Sequence, residues 1–414
     1  MFYGWYIVLA GLVFTIFHGA IGLYGFSTFI DPIALTFGWS YTQISLATSI
    51  RGFEGGALNP ILGVFVDRYS AKSLAIVGVF FYSVGLFLLS LTNSLWMFYA
   101  CFVIFGLGAS LSYGLLPQTT MVRWFRKNLG KAIGIMFVGY GLGGAFVPLL
   151  IYLIDRYGWR QAFVILSVAT MVLCMPLSFV FRTRPEDHGL LPDGGLVPTD
   201  RPSPDVSPDQ RDYLVKDALK TRAFWHFSIT ALFQMCAASA LVTHSIPYLT
   251  SIGLGRSAGG FVATAIPLTT VLARLPFGWL SDTFERRWVN AIPVTLTSLG
   301  LFLSWMLNQE SHMLIFMVII LVGIGIGGFM PSYIPLFREY YGSAHFAKIY
   351  GLANIFFLMG MVAGPPLAGF IYDTHHTFTP AWLLFSGTGL LGVISVLTAP
   401  APAKYRQPNP SPTH

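Results

Sequence analysis

The sequence predicts an all-α membrane protein with twelve transmembrane helices, and three observations support this. The 414-residue chain is 55% hydrophobic and only 10% charged, whereas a soluble domain carries about 25% charged residues. Its apolar runs are long enough to cross a bilayer, which takes about 20 residues per helix. Its basic residues are unevenly distributed: of 24 Lys and Arg, 19 fall in one set of loops, three in the opposite set and two inside the spans.

The positions of the basic residues predict how the chain is oriented. Lys and Arg collect in the cytoplasmic loops of membrane proteins, so the asymmetry places both termini and the loop at 183–220 in the cytoplasm. The first apolar run, 5–30, has no basic region before it and is too long for the apolar part of a signal peptide. We therefore predict a multi-pass protein of the cell inner membrane that retains this run as its first span.

The predicted spans leave one long polar loop, 183–220. It contains six prolines and is typical of a linker, and near its end residues 214–219 predict a short interfacial helix. The predicted domains are an N-terminal bundle at 1–182, this linker, a C-terminal bundle at 221–400 and a tail at 401–414. The spans, first to twelfth, are 5–30, 42–66, 73–92, 95–121, 129–154, 160–182, 222–251, 257–281, 288–307, 312–337, 345–372 and 379–399.

Composition and motifs argue against several classes of protein. The three cysteines all lie in apolar runs without paired spacing, which argues against disulfides and zinc sites. Three matches to G-x-G-x-x-G lie within apolar spans rather than after a strand, so they predict helix contacts instead of dinucleotide binding. A phosphate-binding G-x-x-x-x-G-K-S/T loop is missing from the sequence, and no nucleophile–base triad stands out. We therefore predict no enzyme activity, cofactor, metal site or nucleic-acid partner.

The eighth span contains a single permanent charge, Arg274, within the apolar run 258–281. Holding a guanidinium at bilayer depth costs at least about 2.5–3.5 kcal/mol, so it should face a cavity and have a partner. The carboxylates after residue 220 all lie at the edges of apolar runs, so we predict that Arg274 binds a substrate carboxylate. The alternative is a structural arginine bonded to backbone carbonyls or to an acid of the other half. Those edge carboxylates are Asp282, Glu285, Glu310, Glu339 and Asp373.

A short motif occurs at the same place in both halves. Gly63 precedes Asp67 and Arg68 after the second span, and Gly278 precedes Asp282 after the eighth. An acid and bases at a helix end can form an interhelical charge network, and the glycine allows helices to approach closely. The pattern is similar to the loop motif of the major facilitator superfamily. That resemblance implies two six-helix bundles around a central cavity that opens alternately to each side.

Two further signatures resemble those of the monocarboxylate transporter family. Gly4-Trp5 begins the first span, and WFRKNLGKAIG at 124–134 begins the fifth. Arg274 falls where this family has its substrate-binding arginine, and bacterial proton-coupled L-lactate transporters of the family match most closely. Oxalate/formate antiporters share the layout.

The chain also departs from the family pattern. Mammalian members have an acid at the position of Thr270 and a lysine at the position of Leu23. The eleventh span contains Asn354 and no cation after Lys348 at its mouth. The missing second cation favours a substrate with one carboxylate.

The resemblance implies that the first, fourth, seventh and tenth spans line the cavity. We therefore expect Tyr113, Tyr333 and His244 to contact the substrate, with Leu23 and Phe329 as an apolar wall. For each, the alternative is ordinary packing.

For the coupled proton the candidates are His244, His18 and Glu54. Arg51 and Glu54 lie three residues apart on one helix face, so a buried structural pair is favoured there. In the other interpretation Glu54 carries the proton.

These observations predict a secondary active transporter of small monocarboxylates such as L-lactate or pyruvate, with proton symport by alternating access. Its partners are the anion, the proton and the lipid bilayer, and we expect a monomer. Two alternatives stay open. One is an anion exchanger of the oxalate/formate type, and the other is a membrane sensor that transports nothing and uses the linker as its output.

Overall fold

The computed structural model describes residues 2–39, 43–44, 46–47, 59–194, 212–253, 256–308 and 312–400. These residues are almost entirely helical, and nine of the helices they form are long and apolar enough to cross a membrane. The predicted all-α membrane fold is confirmed. The predicted pair of Arg51 and Glu54 lies outside the described residues.

In the described residues of the N-terminal half, helices follow the predicted spans, and the second span is described as a helix at Asn59–Arg68. The first span contains a π-helical turn, Gly19–Gly25, and the fourth contains another, Ser110–Leu115. Serine caps begin the third and fourth spans, since Ser70 accepts from the Ser73 N–H (3.1 Å) and Ser94 from the Met97 N–H (3.3 Å). The α-helices are Gly4–His18, Ser27–Phe37, Asn59–Arg68, Ala71–Ser90, Leu95–Ala109, Leu116–Trp124, Leu129–Gly144, Val147–Tyr157 and Trp159–Ser178.

In the C-terminal half, each span is one continuous helix. A short helix precedes them at Val215–Lys220, where the linker sequence predicts one. The spans are Arg222–Ser251, Arg256–Thr283, Arg286–Ser304, His312–Tyr341, Phe346–His375 and Thr379–Thr398. The seventh span packs mainly on the eleventh and twelfth, and the tenth packs on the eighth and ninth.

Both chain ends of the described structure lie at the same end of the molecule as the linker. The Tyr3 hydroxyl donates to the Val180 carbonyl at 3.0 Å, which joins the start of the first span to the end of the sixth. Arg287 donates to the Ala399 carbonyl at 3.4 Å, so the end of the twelfth span lies beside the start of the ninth. We call this end, where the linker begins and finishes, the linker end.

Glycine pairs four residues apart bring helices into backbone contact within each half. A methyl group on Gly143 would lie 2.6 Å from the Ile16 carbonyl oxygen, and one on Gly364 would lie 2.5 Å from the Ser239 hydroxyl. Because no real side chain tolerates such distances, only glycine permits this packing. The G-x-G-x-x-G stretch at 139–144, predicted to serve helix contact, does so at Gly143.

The two described ends of the linker each place a carboxylate on a loop between spans. Asp193 accepts from the N–H groups of Arg126 (2.9 Å) and Lys127 (2.7 Å), just before the fifth span. Asp212 accepts from those of Ser343 (2.8 Å) and Ala344 (3.0 Å), just before the eleventh. The linker is therefore fastened to the loops that precede the fifth and eleventh spans.

Candidate functional site

Arg274 lies at the interface between the two halves. One of its terminal nitrogens, Nη1, donates to the backbone carbonyl of Phe137 in the fifth span. A methyl group on Gly141, one turn further on, would lie 3.5 Å from the same nitrogen, and one on Gly134 would lie 2.7 Å from the Arg274 carbonyl oxygen. The eighth span thus crosses the fifth in close contact, with the guanidinium over the turn at 137–141.

The Phe137 contact bears on the predicted role of Arg274. It agrees with the alternative to substrate binding, in which Arg274 is a structural arginine bonded to a backbone carbonyl. A guanidinium has five N–H donors, and this bond uses one of them. A neutral carbonyl is a weaker acceptor than a carboxylate, so an arriving anion competes well for this group. Substrate binding by Arg274 therefore stays a prediction, and its position between the halves suits it.

Tyr140 is a polar side chain of the fifth span, in the turn over which this arginine lies. Arg274 interacts electrostatically with its hydroxyl, which donates to the Tyr113 carbonyl at 3.0 Å. The sequence did not predict a role for Tyr140, because the fifth span is not among those that the resemblance implies as lining the cavity. Like Tyr113, Tyr140 is a phenol within a run of small residues, here 139–144.

A group of aromatic side chains in the N-terminal half extends from Tyr140. The His18 ring stacks on Tyr113, with centroids 5.3 Å apart, and lies 6.0 Å from Tyr82 and from Tyr140. Tyr113 is only 1% exposed, and its hydroxyl interacts with the Cys174 thiol. The structure thus brings two predicted residues, His18 and Tyr113, next to Tyr140.

Two predicted residues of the C-terminal half lie together in the core. Tyr333 stacks on Phe329 with centroids 5.0 Å apart, and its hydroxyl donates to the Phe227 carbonyl at 3.4 Å. Phe329 is 0% exposed and Tyr333 2%. They approach the interface through Tyr350, which lies 6.2 Å from Tyr333 and interacts electrostatically with Tyr140. The Tyr350 hydroxyl donates to the Met330 sulfur at 3.7 Å and interacts with Asn354.

Other predicted residues occupy different surroundings. The His244 Nε2 atom is 2.9 Å from the Pro365 carbonyl oxygen, and its ring lies 5.3 Å from that of Phe378. These contacts tie it to the eleventh span and to the start of the twelfth. Leu23 is 49% exposed, in the π-helical turn of the first span. The roles proposed for His244 and Leu23 stay predictions.

The first copy of the repeated motif forms an ion-pair network at the linker end. Asp67 contacts Arg123 of the fourth span at 2.8 Å and Lys348 of the eleventh at 3.6 Å. A methyl group on Gly63 would lie 2.7 Å from the Ala347 carbonyl oxygen. Arg68 lies over the neighbouring Tyr69 ring instead, at 6.0 Å. The second span is thereby joined to the opposite half.

The second copy joins the halves at the mirrored position through backbone groups. Asp282 accepts from the N–H groups of Gly130 (2.6 Å) and Lys131 (2.8 Å), at the start of the fifth span. Gly278 and Gly130 lie so close that a side chain on either would overlap the other's carbonyl oxygen. Both motif carboxylates therefore hold the two halves together at the linker end. Within the described parts of the chain, no three potential ligands cluster as a metal site.

We expect Asp67→Asn to lower the free energy of unfolding by about 3–5 kcal/mol, because it leaves Arg123 as a buried unpaired charge. Both side chains of this pair are less than 10% exposed. Thermal unfolding in detergent measures the effect, with Lys220→Gln as the control. Lys220 belongs to an ion pair in which its side chain is 78% exposed, so its loss should cost less than about 1 kcal/mol. Equal effects of the two substitutions would contradict a structural role for the Asp67 network.

Comparison with known proteins supports the fold and the family. The Major Facilitator Superfamily matches residues 12–259 and 245–413. The Escherichia coli fucose:proton symporter superposes with a TM-score of 0.68 at 14% identity, covering 97% of this chain and 100% of that one. A human organic anion transporter gives a TM-score of 0.67 at 13% identity, covering 95% and 97%.

Relatives identified by sequence carry more specific names. Monocarboxylate transporter 12-B of Danio rerio is 24% identical, covering 98% of this chain and 89% of that protein. The oxalate:formate antiporter of Oxalobacter formigenes is also 24% identical, covering 84% and 79%. Since the superfamily match spans nearly the whole chain, this protein belongs to the major facilitator superfamily of membrane transporters.

Proposed function

We propose that the protein is a secondary active transporter of small monocarboxylates such as L-lactate and pyruvate, coupled to proton symport. The observation that carries this proposal is Arg274, a permanent cation in the middle of a span and at the contact between the two halves. A planar guanidinium binds a carboxylate with two parallel, charge-assisted hydrogen bonds. Relatives named monocarboxylate transporters support the same substrate class.

The residues around Arg274 favour an anion with a single carboxylate. Across the interface, Tyr350 and Asn354 of the eleventh span are neutral. The cation of that span, Lys348, lies at the linker end and contacts Asp67. A second carboxylate in the site would therefore lose its hydration without gaining a cation. This supports monocarboxylates over dicarboxylates, and counts against an oxalate-type exchanger.

The contacts at the linker end support alternating access in a defined order. Asp67 and Asp282 join the halves there, so the substrate enters from the opposite side. Docking of the anion on Arg274 neutralises an intramembrane positive charge, which lowers the cost of closing the site to water. The halves then rock, the contacts of Asp67 and Asp282 with the opposite half break, and the anion leaves at the linker end. We propose that this end is cytoplasmic, as the distribution of basic residues predicts.

For the coupled proton, the contacts favour His18 over His244. His18 faces the hydroxyl-bearing rings of Tyr82, Tyr113 and Tyr140, and Arg274 lies beyond Tyr140. A cation at Arg274 disfavours a second positive charge on His18, and a bound carboxylate removes that penalty. By thermodynamic linkage, protonation of His18 then raises the affinity for the anion by the same factor as the bound anion raises the affinity of His18 for the proton. His244 instead lies against the Pro365 carbonyl; Glu54 is a third candidate.

The test is uptake of labelled L-lactate into proteoliposomes containing the purified protein. We expect accumulation when an inward-directed proton gradient is imposed, and little accumulation when the pH is equal on both sides. Exchange of internal for external anion that ignores the pH gradient would instead support an oxalate/formate-type exchanger. Absence of any flux would favour a sensor.

The same assay separates the two histidines. We expect His18→Gln to retain anion exchange but to lose accumulation driven by the proton gradient, because exchange does not require release of the proton. His244→Gln serves as the matched control and should keep the gradient response. The reverse result would assign the proton to His244.

A further inference from the structure

We propose that the hydroxyl of Tyr140 donates a hydrogen bond to the substrate carboxylate beside Arg274, and that it leaves the carbonyl of Tyr113 to do so. Nothing in the family resemblance assigns Tyr140 a role. The inference rests on the proposed function, since it concerns how the same site holds a monocarboxylate. It makes Tyr140 the second anion-binding group, supplied by the half of the protein opposite to Arg274.

The position of Tyr140 supports this role. The guanidinium of Arg274 lies over the turn that contains Tyr140. It donates to the Phe137 carbonyl, and a methyl group added to Gly141 would lie 3.5 Å from its Nη1 atom. Arg274 also interacts electrostatically with the Tyr140 hydroxyl. A carboxylate bridging a cation and a neutral donor satisfies both of its oxygens. Such an anion would also connect the two halves, with the fifth span on one side and the eighth on the other.

Tyr113, the phenol that the sequence favoured, is less suited to the task. Its side chain is 1% exposed, and it packs between His18, Phe14 and Tyr82. Its hydroxyl is buried within the N-terminal bundle near the Cys174 thiol, and makes no hydrogen bond to a described residue. Tyr113 meets Tyr140 through its backbone carbonyl.

The sequence explains why that carbonyl is available as a resting partner. In an α-helix the carbonyl of residue 113 would accept from the N–H of residue 117, but this is Pro117, which has none. The chain forms a π-helical turn here, Ser110–Leu115, with irregular dihedral angles at Gly114 (φ −95°, ψ −106°). Such turns occur frequently at functional sites. Tyr140 supplies the donor at 3.0 Å.

An arriving anion makes the exchange favourable. Tyr140 gives up a hydrogen bond to a neutral carbonyl and gains one to a carboxylate, which is stronger because the acceptor is charged. The carbonyl left behind lies in a π-helical turn whose bonding pattern can readjust. Binding is thereby linked to a local change in the fourth span, at its contact with the fifth.

The test compares Tyr140→Phe with Tyr113→Phe in the proteoliposome assay, together with wild-type protein and Arg274→Lys. Both tyrosine variants keep the ring and lose one hydroxyl. We expect Tyr140→Phe to raise the KM for L-lactate about tenfold, as for loss of one hydrogen bond to a charged group. We expect Tyr113→Phe to raise the KM less than Tyr140→Phe does, and the control Tyr152→Phe, whose ring is 58% exposed in the same span as Tyr140, to stay within about twofold of wild type. Thermal unfolding in detergent, with and without 50-fold excess lactate over KM, shows whether each variant folds and binds.

The outcomes separate this inference from the proposed function. Wild-type protein that neither transports nor binds L-lactate would overturn both. This inference alone would be overturned if wild-type protein takes up L-lactate, Arg274→Lys takes it up more slowly, and Tyr140→Phe has an unchanged KM. An equal or larger rise in KM for Tyr113→Phe would also overturn it. A Tyr140→Phe protein that folds like wild type, keeps its maximal rate and loses apparent affinity would support it.

Discussion

Arg274→Ala is expected to reduce uptake of L-lactate about 100-fold or more at substrate concentrations below KM. Removing the guanidinium removes the cation and both hydrogen bonds to the carboxylate, and each bond to a charged group contributes about 1.5–3 kcal/mol. Uptake of labelled L-lactate into proteoliposomes under a proton gradient measures the effect. Lys220→Ala is the control, because this side chain is 78% exposed at the linker end and its removal should leave uptake unchanged.

The bond from Arg274 to the Phe137 carbonyl calls for a second variant. Arg274→Gln retains an amide donor for that carbonyl and loses the charge, so it should fold like wild type and still fail to transport. Arg274→Lys retains the charge and loses the planar pair of donors, so we expect an intermediate loss. Transport at the wild-type rate by Arg274→Gln would show that the arginine serves only to join the two halves.

Much of the fold follows from the sequence, because a bilayer leaves few choices. A span must be apolar over about 20 residues and must satisfy its own backbone, so hydropathy locates the helices. Residues such as Gly63 and Gly278 also anticipate close helix contacts, since small side chains are the means of bringing backbones together. These features depend on local composition and spacing.

The site is less predictable, because it depends on which spans face each other. Asp67 contacts Arg123, a residue 56 positions away in the sequence, rather than the adjacent Arg68. Tyr140 becomes important only because the fifth span crosses the eighth at Arg274, and no local pattern encodes that crossing. One partner of Arg274 is the backbone carbonyl of Phe137, and carbonyls have no signature in a sequence.

Gly278→Ala is expected to prevent full closure of the linker end and to lower the rate of uptake at least about tenfold. A methyl group here would overlap the Gly130 carbonyl oxygen, and the atoms in conflict are backbone, which cannot move aside as a side chain does. The two halves must therefore separate slightly, which also lengthens the hydrogen bonds from Gly130 and Lys131 to Asp282. The matched control is Gly387→Ala in the twelfth span, where a methyl group meets nothing within 4 Å.

Spin-label distances between the halves test the physical cause of that loss directly. Cysteines introduced at Lys72 and Lys220 carry the labels, and all three native cysteines are buried and so protected from labelling. We expect Gly278→Ala to shift the distance distribution to longer values, while Gly387→Ala matches wild type. Because closure at one end and opening at the other exclude each other, destabilising one state slows the whole cycle without altering Arg274. Slower uptake with an unchanged distance distribution would instead place the defect of Gly278→Ala in the packing of the eighth span itself.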